Sequence, residues 1–281
     1  MNDANALCVS HLKTGYGKKV VIEDVSFSIP KGQIVSIIGP NGCGKSTVLR
    51  SIMGNLPPMS GSVSFDGMSA RSYAPKDLAK KVAYLSQTNL APEDMTVRRL
   101  VGFGRVPHRR WAFAPLSEPD KQAINSALRF TATEALQDHL VSDLSGGERQ
   151  RVWLAMVIAQ EPDILLLDEP TTYLDISHQL EIMELLRHLN KESKTSIVMV
   201  LHDLNQAMKY SDQVIVMRSG EIYSAGTPAE IGSEKMLEEV YGLHCALGTD
   251  EDGAPVISTM KLASKCTFNQ WNGRRRTCET K

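Results

Sequence analysis

The segment Gly39–Thr47, GPNGCGKST, constrains the fold of this chain more than any other part of the sequence. It matches the pattern G-x-x-x-x-G-K-[ST], whose glycines let consecutive backbone N–H groups surround the α- and β-phosphates of a nucleotide. In this pattern Lys45 reaches the β- and γ-phosphates and the hydroxyl of Ser46 binds Mg²⁺. The apolar run QIVSIIG precedes the segment and the helix-like run STVLRSIMG follows it. This context favours a phosphate-binding loop over its alternative, a plain glycine-rich turn. The candidate nucleotide contacts are Gly39, Pro40, Asn41, Gly42, Cys43, Gly44, Lys45, Ser46 and Thr47.

Three further apolar runs, DILLLDEP, TSIVMVLHD and DQVIVMRSG, predict buried strands. The stretch ISHQLEIMELLRHLNKES lies between the first two and has helical spacing, so the order strand, helix, strand favours a parallel sheet with crossover helices. Near the start, ALCVSHLKTGY, VVIEDVSFSI and GSVSFDG predict an antiparallel sheet. We interpret residues 89–160 as a mostly helical insertion. The predicted fold is therefore α/β: a P-loop NTPase core with a mainly parallel sheet, an N-terminal antiparallel β subdomain and a helical insertion.

The length of 281 residues fits one large domain, or one domain plus a small appendage. We predict a nucleotide-binding domain over residues 1–240, with its helical subdomain at about 89–160, and a C-terminal extension over 241–281. After Gly226 we interpret the chain as a tail, and we expect its end, NGRRRTCETK, to be frayed. The three consecutive arginines in that end either contact anionic lipid or are simply solvated.

Composition excludes several classes of protein. Hydrophobic residues make up 42% and charged residues 22%, as in ordinary globular proteins, and the net charge of −1 gives no general attraction to nucleic acid. No apolar run approaches the roughly 18 residues of a membrane span, and MNDANALCVS lacks the features of an export signal. The five cysteines are scattered without a CxxC pair, which is typical of free thiols in a reducing compartment. We expect a cytoplasmic location.

The run ILLLDEP ends a predicted strand in two carboxylates. Beside a phosphate loop, Asp168 could orient a Mg²⁺-bound water. Glu169 would then point at the γ-phosphate and act as general base for an attacking water. Alone, an Asp-Glu pair at a strand end is more often a solvated turn, but the phosphate loop favours the catalytic interpretation.

The run LSGGERQ precedes the apolar stretch VWLAMVIA, so Ser145, Gly146 and Gly147 lie at a predicted helix start. Unpaired N–H groups at a helix start bind anions, which makes this a second candidate phosphate site. The alternative is an ordinary turn.

Together, GPNGCGKST, LSGGERQR and LLLDEPT resemble the ATP-binding subunit of an ABC transporter, from about Leu7 to Tyr241. The resemblance implies the ABC ATPase fold, with ATP and Mg²⁺ as cofactors. By position it implies that Tyr16 stacks on adenine and that Gln87 contacts Mg²⁺ and the γ-phosphate side. His202 would be the switch histidine near the γ-phosphate, and Asp175 would end the D-loop.

Each of these residues has a simpler interpretation. Tyr16 could be a plain strand residue, Gln87 a solvated amide and His202 a core histidine. Their order around three strong motifs favours the functional interpretation, with Lys45, Gln87, Glu169 and His202 as catalytic candidates. One departure concerns the D-loop, where many family members have Ser-Ala before Leu-Asp and this chain has Thr-Tyr.

The family forms head-to-tail homodimers, in which Ser145 and Gly147 would cap the γ-phosphate held by the partner's Gly39–Thr47 loop. The segments TTYLDISHQLEIMELLRHLN, VLHDLNQAMKYSD and GRVPHRRW further resemble the importer branch for iron(III)-siderophores, haem and vitamin B12, and the siderophore members best. This implies a peripheral protein on the cytoplasmic face of the membrane, with two permease subunits and, indirectly, an extracytoplasmic binding protein. The competing interpretations are a soluble ABC ATPase of DNA repair or translation, and a P-loop kinase or GTPase.

Two further expectations concern single features. Cys43 lies close to a helix start and to Lys45, and both should lower the pKa of its thiol; alternatively, it is only a small residue at a variable position. The loop Phe103–Ser117 contains Trp111, Phe113 and several arginines, which are typical of an interface. We predict that this loop docks a permease helix; the alternative is a flexible surface loop.

Overall fold

The computed structural model describes residues 5–111, 114–251 and 253–262. The strands among them are β1 Asn5–Tyr16, β2 Lys19–Pro30, β3 Ile34–Ile38, β4 Ser60–Phe65, β5 Met68–Ser69, β6 Val82–Leu85, β7 Ile164–Asp168, β8 Ser196–Val200, β9 Gln213–Arg218, β10 Glu221–Gly226, β11 Leu243–Thr249 and β12 Pro255–Leu262. The α-helices are α1 Lys45–Ile52, α2 Pro75–Lys81, α3 Val97–Gly102, α4 Glu118–Phe130, α5 Gly146–Ala159, α6 Ile176–Ser193, α7 Leu204–Tyr210, α8 Pro228–Ile231 and α9 Glu234–Met236.

The central sheet has the strand order β10-β9-β3-β8-β7-β6 and is parallel except for the β9–β10 pair. Strands β3, β7 and β8 are buried along their whole length because both faces of the sheet are covered. In β7, Leu165 and Leu167 pack into one hydrophobic core, whereas Ile164 and Leu166 pack into a second core on the opposite face. This confirms the mainly parallel sheet predicted from the near-continuous apolar runs.

The N-terminal antiparallel sheet has the order β2-β1-β4-β5, as predicted. Its inner residues and those of α1 form the second core with one face of the central sheet. Helices α3, α4 and α5 lie in the predicted helical stretch and contribute to the first core together with α6 and α7. None of the helices in the described ranges has both the length and the apolar composition that crossing a membrane requires.

The carboxyl ends of four parallel strands determine where the site forms. Strand β3 leads into the Gly39–Thr47 loop, β6 leads to Gln87, β7 ends at Asp168 and is followed by Glu169, and β8 leads to His202. Since these strands are parallel, all four connections begin at the same edge of the sheet.

The prediction that the chain becomes a tail after Gly226 is wrong. Helices α8 and α9, a π-helical turn at Leu237–Tyr241 and the hairpin β11–β12 follow that residue. Ile231, Leu237 and Ile257 are buried in the first core. Leu237 and Val240 stand at helical spacing, and Leu243, Cys245 and Leu247 alternate along β11, so the sequence carries short local periods that the tail interpretation overlooked. Packing against the first core stabilises these short elements. The NGRRRTCETK end lies outside the described residues.

Candidate nucleotide-binding and hydrolysis site

The Gly39–Thr47 loop requires glycine at two crowded positions. Gly39 has a φ of 152° and Gly44 a φ of 108°, a region of backbone space that glycine tolerates best. A Cβ atom at Gly39 would lie 2.2 Å from the carbonyl oxygen of Met217, and one at Gly44 would lie 2.4 Å from Cδ1 of Ile22. The loop is therefore held closely against its neighbours, and helix α1 begins directly after it at Lys45.

Lys45 is buried, and its ammonium group is held by the loop itself. Its Nζ donates hydrogen bonds to the carbonyl oxygens of Gly39 at 2.8 Å and Pro40 at 3.2 Å. An open cavity of about 460 Å³ lies over the loop and the neighbouring strand ends. Its lining residues are Tyr16, Lys19, Val21, Asn41, Gly42, Gly44, Lys45, Ser46, Thr47, Gln87, Glu169 and His202.

Asp168 and Ser46 are brought together beside this cavity. The Ser46 hydroxyl donates to Oδ1 of Asp168 at 2.7 Å, and the Tyr84 hydroxyl donates to Oδ2 at 3.3 Å. Burial raises the pKa of the Asp168 carboxyl, while these two hydrogen bonds oppose the rise. A hydroxyl and a carboxylate in contact are oxygen ligands of the kind that Mg²⁺ prefers.

The Glu169 carboxylate contacts three other side chains, one from each of the segments that follow β6, β7 and β8. Its Oε1 lies 2.5 Å from Nε2 of His202, and its Oε2 accepts hydrogen bonds from Nε2 of Gln87 at 2.5 Å and from the Thr172 hydroxyl at 3.0 Å. Its backbone is in the left-handed region, with a φ of 56°. Such strained backbone clusters at functional sites. Sequence reasoning missed Thr172, although the Thr-Tyr departure in the D-loop pointed to this segment.

Tyr16 lines the same cavity, and the residue is 46% exposed, so it is accessible to a ligand. Its hydroxyl accepts a hydrogen bond at 3.3 Å from Arg50, a residue of α1 that sequence reasoning did not single out.

The LSGGERQ segment lies elsewhere. Ser145 caps α5 in a capping box with Glu148, and a Cβ atom at Gly147 would lie 2.2 Å from Cδ2 of His178. Asp175 caps α6 by accepting a hydrogen bond from the backbone N–H of His178 at 2.9 Å. None of Ser145, Gly146, Gly147 and Asp175 lines the cavity formed by the described residues of this chain.

The expectation for the thiol of Cys43 is wrong. Burial raises its pKa, and this outweighs the lowering effect of the Lys45 charge. The side chain is 4% exposed and packs into the second core, an environment that penalises a thiolate. Burial therefore has a larger effect on the pKa of this thiol than its position next to the start of α1.

The loop Phe103–Ser117 is only partly an exposed surface. Arg105 is 4% exposed and forms an ion pair with Asp120, so it is a structural residue and not one of the predicted interface arginines. Trp111 is 58% exposed, as docking requires. Phe113 lies outside the described residues.

Comparisons with known proteins agree with this geometry. The sequence profile of the family described as ABC transporter matches residues 22–172. The chain is 44% identical to the ferric enterobactin transport ATP-binding protein FepC of Escherichia coli (strain K12), over 92% of this chain and 95% of that protein. It is 43% identical to the iron(3+)-hydroxamate import ATP-binding protein FhuC of Bacillus subtilis (strain 168), over 92% and 96%.

Solved structures of the same fold include an inward-facing transporter of the metal-chelate type, with a TM-score of 0.77 and 26% identity over 90% of this chain and 97% of that one. A dimeric bacterial ABC transporter cassette, MJ0796, gives a TM-score of 0.69 and 28% identity over 79% and 98%. With relatives this similar over nearly their whole length, the chain belongs to the ABC transporter family and is an ATP-hydrolysing subunit within it.

Proposed function

We propose that this ATPase powers the import of an iron(III)-siderophore-type chelate through a separate membrane permease. The observation that carries the choice of cargo is the 44% identity to a ferric enterobactin transport subunit over 95% of that protein. The FhuC relative, named for iron(3+)-hydroxamate import, supports the same class. Haem, vitamin B12 and free metal ions are the alternative cargoes.

In this proposal the cavity above the phosphate loop binds ATP. The N–H groups of Gly39–Thr47 and the ammonium group of Lys45 bind the phosphates. The positive end of the α1 dipole lies at the same place and also favours phosphate binding. Lys45 then exchanges its two carbonyl contacts for phosphate oxygens. The exposed Tyr16, which lines the same cavity, stacks on adenine.

Ser46, Asp168 and Gln87 are the proposed Mg²⁺ ligands. The contact between the Ser46 hydroxyl and the buried Asp168 carboxylate fits an oxygen-ligated cation. When bound, Mg²⁺ would neutralise charge on the β- and γ-phosphates.

Glu169 is the proposed general base. Its carboxylate lies at the cavity wall and takes the proton of the attacking water, while Gln87 and His202 hold its two oxygens in a fixed direction. Since His202 also lines the cavity, its imidazole can contact the γ-phosphate that sits beside Glu169.

We further propose that Ser145, Gly146, Gly147 and Asp175 act in a homodimer, where they complete the partner's site. Support comes from their absence from this chain's own cavity and from the dimeric cassette of similar fold. An isologous dimer of this kind contains two composite sites.

The proposed assembly contains two permease subunits and an extracytoplasmic binding protein, with this protein on the cytoplasmic face of the membrane and no nucleic acid. The exposed Trp111 supports docking through the loop Phe103–Ser117. We retain residues 1–240 as the ATP-binding domain, with its helical subdomain at about 89–160, and residues 241–281 as an extension.

Glu169→Gln tests the catalytic assignment. The variant keeps the hydrogen-bonding shape of the side chain but removes the base, so it should bind ATP normally, accumulate an ATP-bound dimer in size-exclusion chromatography, and lose on the order of 10²–10⁴-fold in hydrolysis. Glu181→Gln, an exposed glutamate of α6, is the matched control. Hydrolysis at the wild-type rate by Glu169→Gln would refute the assignment.

Cargo is tested by growth. A strain that lacks the gene should fail to grow on ferric siderophores as sole iron source and should recover when the gene is restored. Normal growth on every ferric siderophore, with a defect on haem or vitamin B12, would overturn the proposed cargo.

A further inference from the structure

Glutamine side chains from two different helices hold the two ends of the loop Pro170–Asp175. Gln150 of α5 donates a hydrogen bond from Nε2 to the carbonyl oxygen of Pro170 at 2.8 Å. Gln179 of α6 donates from Nε2 to the carbonyl oxygen of Leu174 at 3.0 Å. The loop is thereby held at its start by a side chain of α5 and at its end by a side chain of α6, the helix that directly follows it.

A third glutamine extends this connection to the switch histidine. Gln206 of α7 donates from Nε2 to Oε1 of Gln179 at 2.7 Å. Its backbone N–H donates to Oδ1 of Asp203 at 3.0 Å, the cap that begins α7 one residue after His202. A chain of hydrogen bonds therefore runs from the start of α7 through two side-chain amides to the loop.

Gln206 is 8% exposed, yet its Oε1 has no hydrogen-bond partner among the described residues. An unpaired buried amide oxygen costs free energy, and an apolar side chain of similar size would avoid that cost. Among the described residues, the side-chain amide of Gln206 forms a hydrogen bond only through its NH₂ group, which donates to Gln179.

The two elements joined by this chain are those that contact the Glu169 carboxylate from different sides. Thr172 lies in the loop and donates to Oε2, and His202 precedes α7 and contacts Oε1. A displacement of the loop relative to α7 would therefore turn the carboxylate or break one of these contacts.

We propose that Gln179 and Gln206 are positioning residues that hold the loop Pro170–Asp175 and the switch histidine in register around Glu169. This inference rests on the proposed role of Glu169 as general base. The amides touch neither the cavity nor the phosphate loop, so they act on the chemical step and not on ATP binding.

Gln206→Glu tests this proposal because it is nearly isosteric but cannot donate. To bind the new carboxylate, Gln179 would have to turn its NH₂ group toward it, which would bring its own oxygen against the carbonyl oxygen of Leu174. We expect kcat to fall on the order of tenfold, equivalent to about 1.4 kcal/mol. KM for ATP and the affinity for the fluorescent analogue MANT-ATP should stay unchanged. Gln206→Met only removes the donor, so its kcat should fall less, by roughly threefold.

Asn190→Asp is the matched control. Asn190 is another partly buried amide of α6 that donates to backbone carbonyls, those of Gly32 and Thr195, far along the helix from the loop. This variant should lower the unfolding temperature but change kcat by less than about twofold.

An unchanged kcat in Gln206→Glu would overturn the positioning role, and so would a matching fall in kcat in Asn190→Asp. A rise in KM without a fall in kcat would also overturn it. Wild-type hydrolysis by Glu169→Gln would instead refute the base assignment on which the inference rests. An unchanged kcat in Gln206→Glu beside an inactive Glu169→Gln would refute the positioning role alone.

Discussion

Removal of Arg105 should strongly destabilise the helical stretch. Its Nε donates to Oδ1 of Asp120 at 3.0 Å, and its NH1 donates to the carbonyl oxygen of Ala159 and to Glu161, both at 2.7 Å. Arg105 and Asp120 are only 4% and 5% exposed. The guanidinium group therefore joins the start of the loop Phe103–Ser117 to α4 and to the end of α5.

The free energy of unfolding that Arg105→Met loses depends on the contacts that Asp120 and Glu161 keep after the substitution. Breaking a buried ion pair by removing one partner costs about 3–5 kcal/mol, because the other charge stays buried. Asp120 keeps hydrogen bonds to Oδ2 from the N–H and the hydroxyl of Ser117, at 3.0 and 2.7 Å, so we expect the lower end of this range. Glu161 adds little, since its side chain is 62% exposed. The predicted loss in the free energy of unfolding is about 3 kcal/mol at pH 7.

Urea denaturation followed by circular dichroism measures this loss. Arg129→Met, which affects an exposed pair with Glu134, is the control and should cost less than about 1 kcal/mol. Adding Asp120→Asn to Arg105→Met should restore at least about 1 kcal/mol by removing the unpaired charge. A loss below about 1 kcal/mol in Arg105→Met, or a double variant no more stable than the single one, would refute the reasoning.

The Arg105–Asp120 ion pair also determines how the stability of the protein changes with pH. Burial acts to raise the pKa of the Asp120 carboxyl, but hydrogen bonds from Ser117 and Arg105 outweigh it and hold the pKa below its usual value. In the wild type this stabilisation is present above the unfolded pKa of about 4 and is lost as pH falls through the folded pKa. Without Arg105, the hydrogen bond and the charge that lower this pKa from the arginine side are lost, so the Asp120 carboxyl is protonated at a higher pH than in the wild type and the unpaired charge is removed earlier as pH falls. The stability difference between the two proteins should therefore narrow from pH 7 to pH 4.

Two predictions concern single side chains. Cys43 should react with N-ethylmaleimide at pH 7 on the order of tenfold more slowly than free cysteine, because burial raises the pKa of its thiol, and ATP should slow labelling further; a rate like that of free cysteine, read by mass spectrometry, would contradict this. Trp111→Ala should lower permease-stimulated ATP hydrolysis in proteoliposomes while MANT-ATP affinity stays at the wild-type value, and unchanged stimulation would count against docking at this loop.

Much of the fold could be predicted because its main elements carry local signals. Strands β7 and β8 are covered on both faces, so their sequences are continuous apolar runs. Helix α6 begins at the cap Asp175 and extends over the predicted stretch up to Ser193. Since parallel strands end at a common edge, the motifs that follow them could also be expected to converge, as Gln87, Glu169 and His202 do.

The remaining features depend on contacts between distant segments, which leave no local pattern. Strand β6 has only four residues and pairs with β7, so its run VAYL was not recognised. From the sequence alone, Arg105 would be assigned to the surface. In the fold, Asp120 of α4 and Glu161, which follows α5, lie beside it and form ion pairs with it. The thiol pKa of Cys43 likewise depends more on the core that surrounds it than on the charge of Lys45, its neighbour in sequence. Long-range partners decide how deeply each group is buried and which hydrogen bonds it receives, and these two effects together decide the state of each charge.

Gly147→Ala allows a test of whether the site is shared between two chains. An added Cβ atom at Gly147 would lie 2.2 Å from the His178 ring, so either that ring or the LSGGERQ helix start must shift, and the new methyl group itself occupies the start of α5. Lys45→Ala damages the phosphate loop instead. Each variant alone should lose ATP hydrolysis, the first because the partner's nucleotide is no longer capped and the second because its own is no longer held.

Mixing the two variants distinguishes a shared site from one within a single chain. In a mixed dimer with shared sites, one site combines both defects, whereas the other combines the intact loop of the Gly147→Ala protomer with the intact LSGGERQ segment of the Lys45→Ala protomer. Random pairing makes about half of the dimers mixed, so about a quarter of all sites are intact and hydrolysis should return to roughly that fraction. If each chain completed its own site, every site would carry one defect, and mixing would restore nothing.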